Sequence, residues 1–157
     1  MGKTLPASRI LLIDDNSQGL LARRIILEGL GYDVATADSG EKGLRLFAES
    51  AGCAPFSLVV TDYRMPGVRG DEVVRQLRRL DPDVPLVMLS GYARILALTP
   101  ESTGADIVLS KGPREQFELA ETVLRLVPEG ARQHGKPPAS ERASAKPADA
   151  RRPQVAV

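Results

Sequence analysis

Ile10-Leu11-Leu12-Ile13-Asp14-Asp15 is the stretch on which the fold turns. An apolar run of this length is too short for a helix. Because it is apolar on consecutive residues rather than alternate ones, it suits a strand of a parallel sheet covered on both faces. The run stops abruptly at two acids. Three further runs follow the same plan, at residues 58–60, 86–89 and 107–109, ending at or just before Asp62, Ser90 and Lys111. A fifth, weaker candidate covers residues 32–37, behind a Gly29/Gly31 pair suited to ending a helix.

Helical patterns fill the intervals. Ser17 is expected to cap a helix reaching about Leu30, and Ser39 one that runs through Phe47. Val73, Val74, Leu77 and Leu80 form an amphipathic stripe that Pro82 terminates. Phe117, Ala120, Leu124 and Val127 form the stripe expected of the last helix, which stops at Pro128. The rhythm breaks between Ala93 and Gly104, where Pro100 cannot sit inside a helix. Thr99-Pro100-Glu101 instead reads as a fresh start with a cap, an N1 proline and a first-turn acid, so the fourth helix is expected to be short or displaced. Strands alternating with helices predict a doubly wound α/β domain with right-handed crossovers.

Composition narrows the function classes. Lys and Arg number 21 against 20 Asp and Glu, so no bulk charge points to nucleic acid or to an anionic membrane. No apolar run approaches the roughly 18 residues that a membrane span needs. Residues 1–8 lack the apolar core of a signal peptide, and a single cysteine, Cys53, precludes an internal disulfide. A cytoplasmic protein is expected, with Cys53 as a partly buried, incidental thiol. Residues 1–8 read as a lead and 9–127 as the domain. Residues 128–157 are rich in Pro, Ala, Lys and Arg, cannot bury enough surface to offset their ordering entropy, and are expected to be a disordered tail. His134, the only histidine, falls in that tail and reads as solvated rather than as a phosphoryl carrier.

In a parallel sheet the carboxyl ends of all strands share one edge. Asp14, Asp15, Asp62, Ser90 and Lys111 therefore converge although they are far apart in sequence. Any one of them has a bland explanation as a turn former, a cap or a solvated lysine. Three carboxylates together are different, because they repel unless a cation neutralises them. Mg²⁺, which combines carboxylates, water and phosphate oxygens, fits that need. A lysine and a hydroxyl beside them suit a phosphoryl group in transfer, with an aspartate as nucleophile.

These residues resemble the receiver domains of two-component response regulators over roughly residues 9–127. The carriers are Leu11-Leu12-Ile13-Asp14-Asp15-Asn16, Val60-Thr61-Asp62-Tyr63-Arg64-Met65-Pro66 with Gly70 following, Met88-Leu89-Ser90-Gly91-Tyr92, and Ser110-Lys111. The resemblance implies a flavodoxin-like five-stranded parallel sheet of order 2-1-3-4-5. It implies that Asp62 is the phosphoacceptor and that Asp14, Asp15, Asp62 and the backbone carbonyl of Arg64 hold Mg²⁺. Ser90 and Lys111 are then the switch hydroxyl and the cation that meet the phosphoryl group. Arg64 and Tyr92 take the positions of the family's variable gatekeepers. The implied partners are a histidine kinase or histidine phosphotransfer protein and a downstream protein target, with no nucleic acid and no membrane.

Three departures fall on the output side. Lys111-Gly112-Pro113 stands where the family has Lys-Pro, and a cis bond before glycine costs about 2.5–4 kcal/mol, so a rearranged loop is expected. Val108 replaces the usual switch aromatic, and Pro100 interrupts the fourth helix. Alternatives are a receiver-like binding module that works without phosphorylation and a Mg²⁺-dependent phosphohydrolase. The hydrolases carry Asp-x-Asp, whereas Asp14 and Asp15 are adjacent. A receiver detached from a hybrid histidine kinase is a variant of the first reading. The residues after Val127 are too few for an output domain, so output is expected through another molecule.

Overall fold

The computed structural model describes residues 7–128; the expectations for the tail and for His134 lie outside them. Its strands are β1 (Arg9–Ile13), β2 (Asp33–Ala37), β3 (Leu58–Asp62), β4 (Leu86–Ser90) and β5 (Ile107–Ser110). Between and after them run α1 (Ser17–Gly29), α2 (Gly40–Ser50), α3 (Gly70–Leu80), α4 (Pro100–Thr103) and α5 (Glu115–Leu126). All five strands pair in parallel in the order β2-β1-β3-β4-β5. The chain reverses direction across the sheet between β1 and β3, which is the switch point where ligands bind in such folds.

The unbroken apolar runs are explained by two cores, one on each face of the sheet. Leu11, Ile13, Val59 and Met88 point to the side covered by α2 and α3. Ile10, Leu12, Val60 and Leu89 point to the side covered by α1 and α5. Every residue of β3 and β4 is buried. Burying all of these side chains, each worth on the order of 2 kcal/mol, sets the strand register and with it the strand ends.

Helix ends follow local chemistry, with some departures from expectation. Asn16, not Ser17, is the cap of α1: its side chain accepts the Gly19 N–H at 3.0 Å. Asn and Ser are about equal as caps, so propensity alone does not separate neighbours. Ser39 caps α2 as expected. Thr99 opens α4 with a capping box, Pro100 sits in its first turn, and Gly104 at φ 77° closes it after four residues. In α5 Leu119, Thr122 and Val123 are buried; of the expected stripe, Val127 is buried and Leu124 packs against the same core, while Phe117 is 56% exposed. Apolar residues on both sides of that helix made its period ambiguous. Leu80, counted with the α3 stripe, is 55% exposed at the helix end, and Cys53 is exposed rather than partly buried.

Candidate phosphoacceptor site

Four of the five strand ends deliver a polar side chain to the same edge. Asp14 follows β1 and is 1% exposed; its backbone N–H bonds to the Ala37 carbonyl at the end of β2. Asp62 is the last residue of β3, at 6% exposure, and Ser90 the last of β4, at 1%. Lys111 follows β5, and its N–H donates to the Ser90 carbonyl at 3.0 Å. That backbone bond fixes the lysine beside β4. No described peptide bond is cis, so the Lys111-Gly112-Pro113 loop presents its lysine without one.

The side chains meet across the switch point. Lys111 Nζ lies 3.1 Å from Asp14 Oδ2 and 3.1 Å from Asp62 Oδ1. One carboxylate oxygen from each of Asp14, Asp15 and Asp62 lies within 4.8 Å of the others, with Asp15 exposed and the other two buried. Burial and the charge of Asp14 push the Asp62 carboxyl above its ordinary pKa, with Lys111 partly offsetting both. Burial also pulls Asp14 upward, but the Asn16 N–H, Lys111 and Arg23 outweigh it and hold its carboxyl below the ordinary value. The two neighbouring acids are thus pushed in opposite directions by their surroundings. This donor set fits a hard divalent cation: it is all oxygen, anionic and half open to solvent through Asp15. Asp14 is the most committed of the three, since Oδ1 accepts the Asn16 N–H at 2.9 Å and Oδ2 takes Lys111 and Arg23.

The loop after β3 is shaped around the site. Gly67 turns at φ 78°. Gly70 donates its N–H to the Tyr63 carbonyl at 2.9 Å, and a Cβ there would stand 2.2 Å from the Asp62 carbonyl oxygen. Only glycine fits at that approach. The Arg64 guanidinium lies 4.4 Å over the Tyr92 ring, so the two expected gatekeepers touch each other. Ser90 Oγ accepts the Tyr92 N–H at 3.0 Å, which holds the hydroxyl toward its own loop. Val108 is partly buried and packs against the core on the α2–α3 side.

Two residues of the neighbourhood were not singled out from the sequence. Arg23 of α1 is 6% exposed and donates from Nη1 to Asp14 Oδ2 at 2.7 Å and from Nε to Glu115 Oε1 at 2.6 Å. The available signal was an arginine on the stripe Leu20, Arg23, Leu27, the buried face of α1; a cation in such a place needs a buried acid.

Known proteins share this fold and much of this sequence. The C4-dicarboxylate transport transcriptional regulatory protein DctD of Pseudomonas aeruginosa is 35% identical over 122 residues, which are 76% of this chain and 25% of that protein. The response regulator TrrA of Thermotoga maritima, solved in complex with Mg²⁺-BeF, superposes with a TM-score of 0.66 at 29% identity, covering 76% of this chain and 99% of that one. A structure of the histidine kinase ThkA in complex with TrrA matches with a TM-score of 0.65 at 30% identity, covering 76% and 98% of the two chains. The chain spans half or less of the length of the curated relatives it matches first. The family model described as the response regulator receiver domain matches residues 10–123. A match that runs from the first strand to the last helix leaves one reading of the domain: the chain belongs to the response regulator receiver domain family.

Proposed function

We propose that this receiver domain serves two-component signalling by accepting a phosphoryl group on Asp62, delivered by a histidine kinase or a histidine phosphotransfer protein. The observation that carries the reading is the placement of Lys111 Nζ at 3.1 Å from both Asp62 and Asp14, over an acid cluster at the switch point. A carboxylate oxygen of Asp62 attacks the phosphorus of the donor, the new O–P bond forms as the donor's bond to phosphorus breaks, and the donor leaves with that bond's electrons. Lys111 meets the phosphoryl oxygens. Ser90 sits one strand over and supplies a hydroxyl to the same group once it turns from the Tyr92 N–H.

Mg²⁺, held by Asp15, Asp62, Asp14 and the Arg64 carbonyl, would neutralise the carboxylates and the incoming phosphate. The family resemblance supports that ligand set, and the oxygen cluster fits it. Output is by protein–protein contact. No described helix is long and apolar enough to cross a membrane. The test is uptake of phosphate from a small phosphodonor as a function of Mg²⁺. Asp15→Asn should raise the Mg²⁺ needed for half-maximal uptake by about tenfold or more, since an anionic ligand is lost. Uptake that is independent of Mg²⁺, or an unchanged titration in the variant, overturns the metal assignment.

The Arg64–Tyr92 pair bears on how long the phosphoryl group lasts. Set beside a phosphoryl group on Asp62, an arginine stacked on a ring at 4.4 Å would exclude water from the phosphorus. Arg64→Ala with Tyr92→Ala should therefore speed loss of the phosphoryl group several-fold in excess Mg²⁺. An unchanged decay rate of purified phosphoprotein would remove the shielding role.

A further inference from the structure

The site contains a cation that its phosphoryl chemistry does not account for. Arg23 is buried, and its guanidinium joins Asp14 at 2.7 Å to Glu115 at 2.6 Å, the latter 92 positions along the chain from the arginine. Its place is prepared by a small residue one turn earlier: a Cβ at Gly19 would lie 3.0 Å from Arg23 Nη1. Glu115 begins α5, so the arginine cannot follow a group that moves at the sheet edge. Lys111 differs, because its amine ends a flexible stem and already spans Asp14 and Asp62.

We infer that Arg23, anchored by Glu115, is a positioning residue that pins Asp14 through Oδ2 and thereby restrains the Mg²⁺ affinity of the phosphoacceptor site. Two effects act in the same direction. The positive charge subtracts from the field that the acids present to a cation, and the hydrogen bond occupies a lone pair of Asp14 Oδ2 that a cation would otherwise compete for. Asp14 also stays paired when Lys111 shifts toward a phosphoryl group on Asp62, so no buried carboxylate is left alone during that exchange. Glu115 works with the opposite sign: it returns a negative charge to the neighbourhood and holds Arg23 in place. The inference rests on the phosphoacceptor reading given above.

The opposed signs supply the test. Mg²⁺ is titrated calorimetrically into the full chain and into Arg23→Gln, Arg23→Lys and Glu115→Gln. Arg23→Gln should bind Mg²⁺ roughly threefold to tenfold more tightly, and Glu115→Gln more weakly by a similar factor, as expected for a unit charge several ångströms away between water-like and protein-like screening. Arg23→Lys keeps the charge and should stay within about twofold of the unaltered chain. A purely structural role would loosen the site in both neutral variants, so weaker binding in both overturns the inference. Unchanged affinity in Arg23→Gln overturns it as well. Should Arg23→Gln not fold, Glu115→Gln is read beside Glu115→Asp, which keeps the charge: weaker binding in the Gln variant with binding within about twofold in the Asp variant supports the inference, and equal weakening of both, or no weakening in the Gln variant, overturns it. If the unaltered chain binds Mg²⁺ and takes up phosphate while the variants match it, only this inference falls. If the unaltered chain binds no Mg²⁺, the functional reading falls with it.

Discussion

Lys111→Met should slow phosphate uptake from a small donor by about two to three orders of magnitude, while leaving the domain folded. The loss follows from position. Nζ stands 3.1 Å from Asp62 Oδ1, where it is within reach of an oxygen on a phosphoryl group bonded to that carboxylate. Removing one preorganised donor from such a group typically costs about 10²–10³ in rate. Methionine keeps most of the stem's packing, and the backbone bond from Lys111 N–H to the Ser90 carbonyl survives because it does not involve the side chain. Asp14 retains Arg23 and the Asn16 N–H, whereas Asp62 loses its lysine partner, a cost that unfolding measurements register separately. Uptake rates measured at saturating Mg²⁺, alongside thermal unfolding, separate chemistry from stability. A rate within tenfold of the unaltered chain would show that the lysine's contact with Asp62 has no part in transfer.

The largest expected loss of stability is at Gly70. A Cβ there would stand 2.2 Å from the Asp62 carbonyl oxygen and 2.9 Å from Tyr63 Cα, and both obstacles are backbone. A flexible side-chain tip could swing aside, but the end of β3 cannot move without disturbing its pairing with β4. Gly70→Ala should destabilise the domain by about 3 kcal/mol, at the upper end of overpacking costs, and lower the melting temperature by roughly 10 °C. It should also displace the Asp62 peptide and weaken phosphate uptake. Gly52 is the control: nothing lies within 4 Å of a Cβ at that position, so Gly52→Ala should shift the melting temperature by only a few degrees, about 1 kcal/mol or less. Equal melting temperatures for the two variants would mean that the β3–α3 loop is not held as described.

Much of the fold is legible in the sequence, for a physical reason. A strand buried on both faces must be apolar at consecutive positions, and β1, β3 and β4 are buried throughout or nearly so. Once those runs are parallel strands, Asp14, Asp62 and Ser90 have to share an edge. Thr99-Pro100-Glu101 was readable because proline and cap chemistry act within one turn. What escaped was tertiary. Arg23 and Glu115 carry no motif, and their pairing depends on how α1 and α5 lie side by side. The buried side of α5 was legible only in part: Val127 and Leu124 of the expected stripe face the core, but Leu119 and Val123 were missed and Phe117 is exposed. The trans Lys111-Gly112-Pro113 loop still delivers its lysine, which shows that the backbone bond to Ser90, not a cis bond, sets its position.

The central claim is that Asp62 takes the phosphoryl group. The most direct measurement is mass spectrometry of the intact chain after exposure to a phosphodonor and Mg²⁺, followed by proteolysis to locate the modification. The expected result is one added phosphoryl group, stable in acid and lost in base, on the peptide that contains Asp62, and none in Asp62→Ala under the same conditions. A phosphoryl group on any other residue of the unaltered chain, or equal modification of Asp62→Ala, would contradict it.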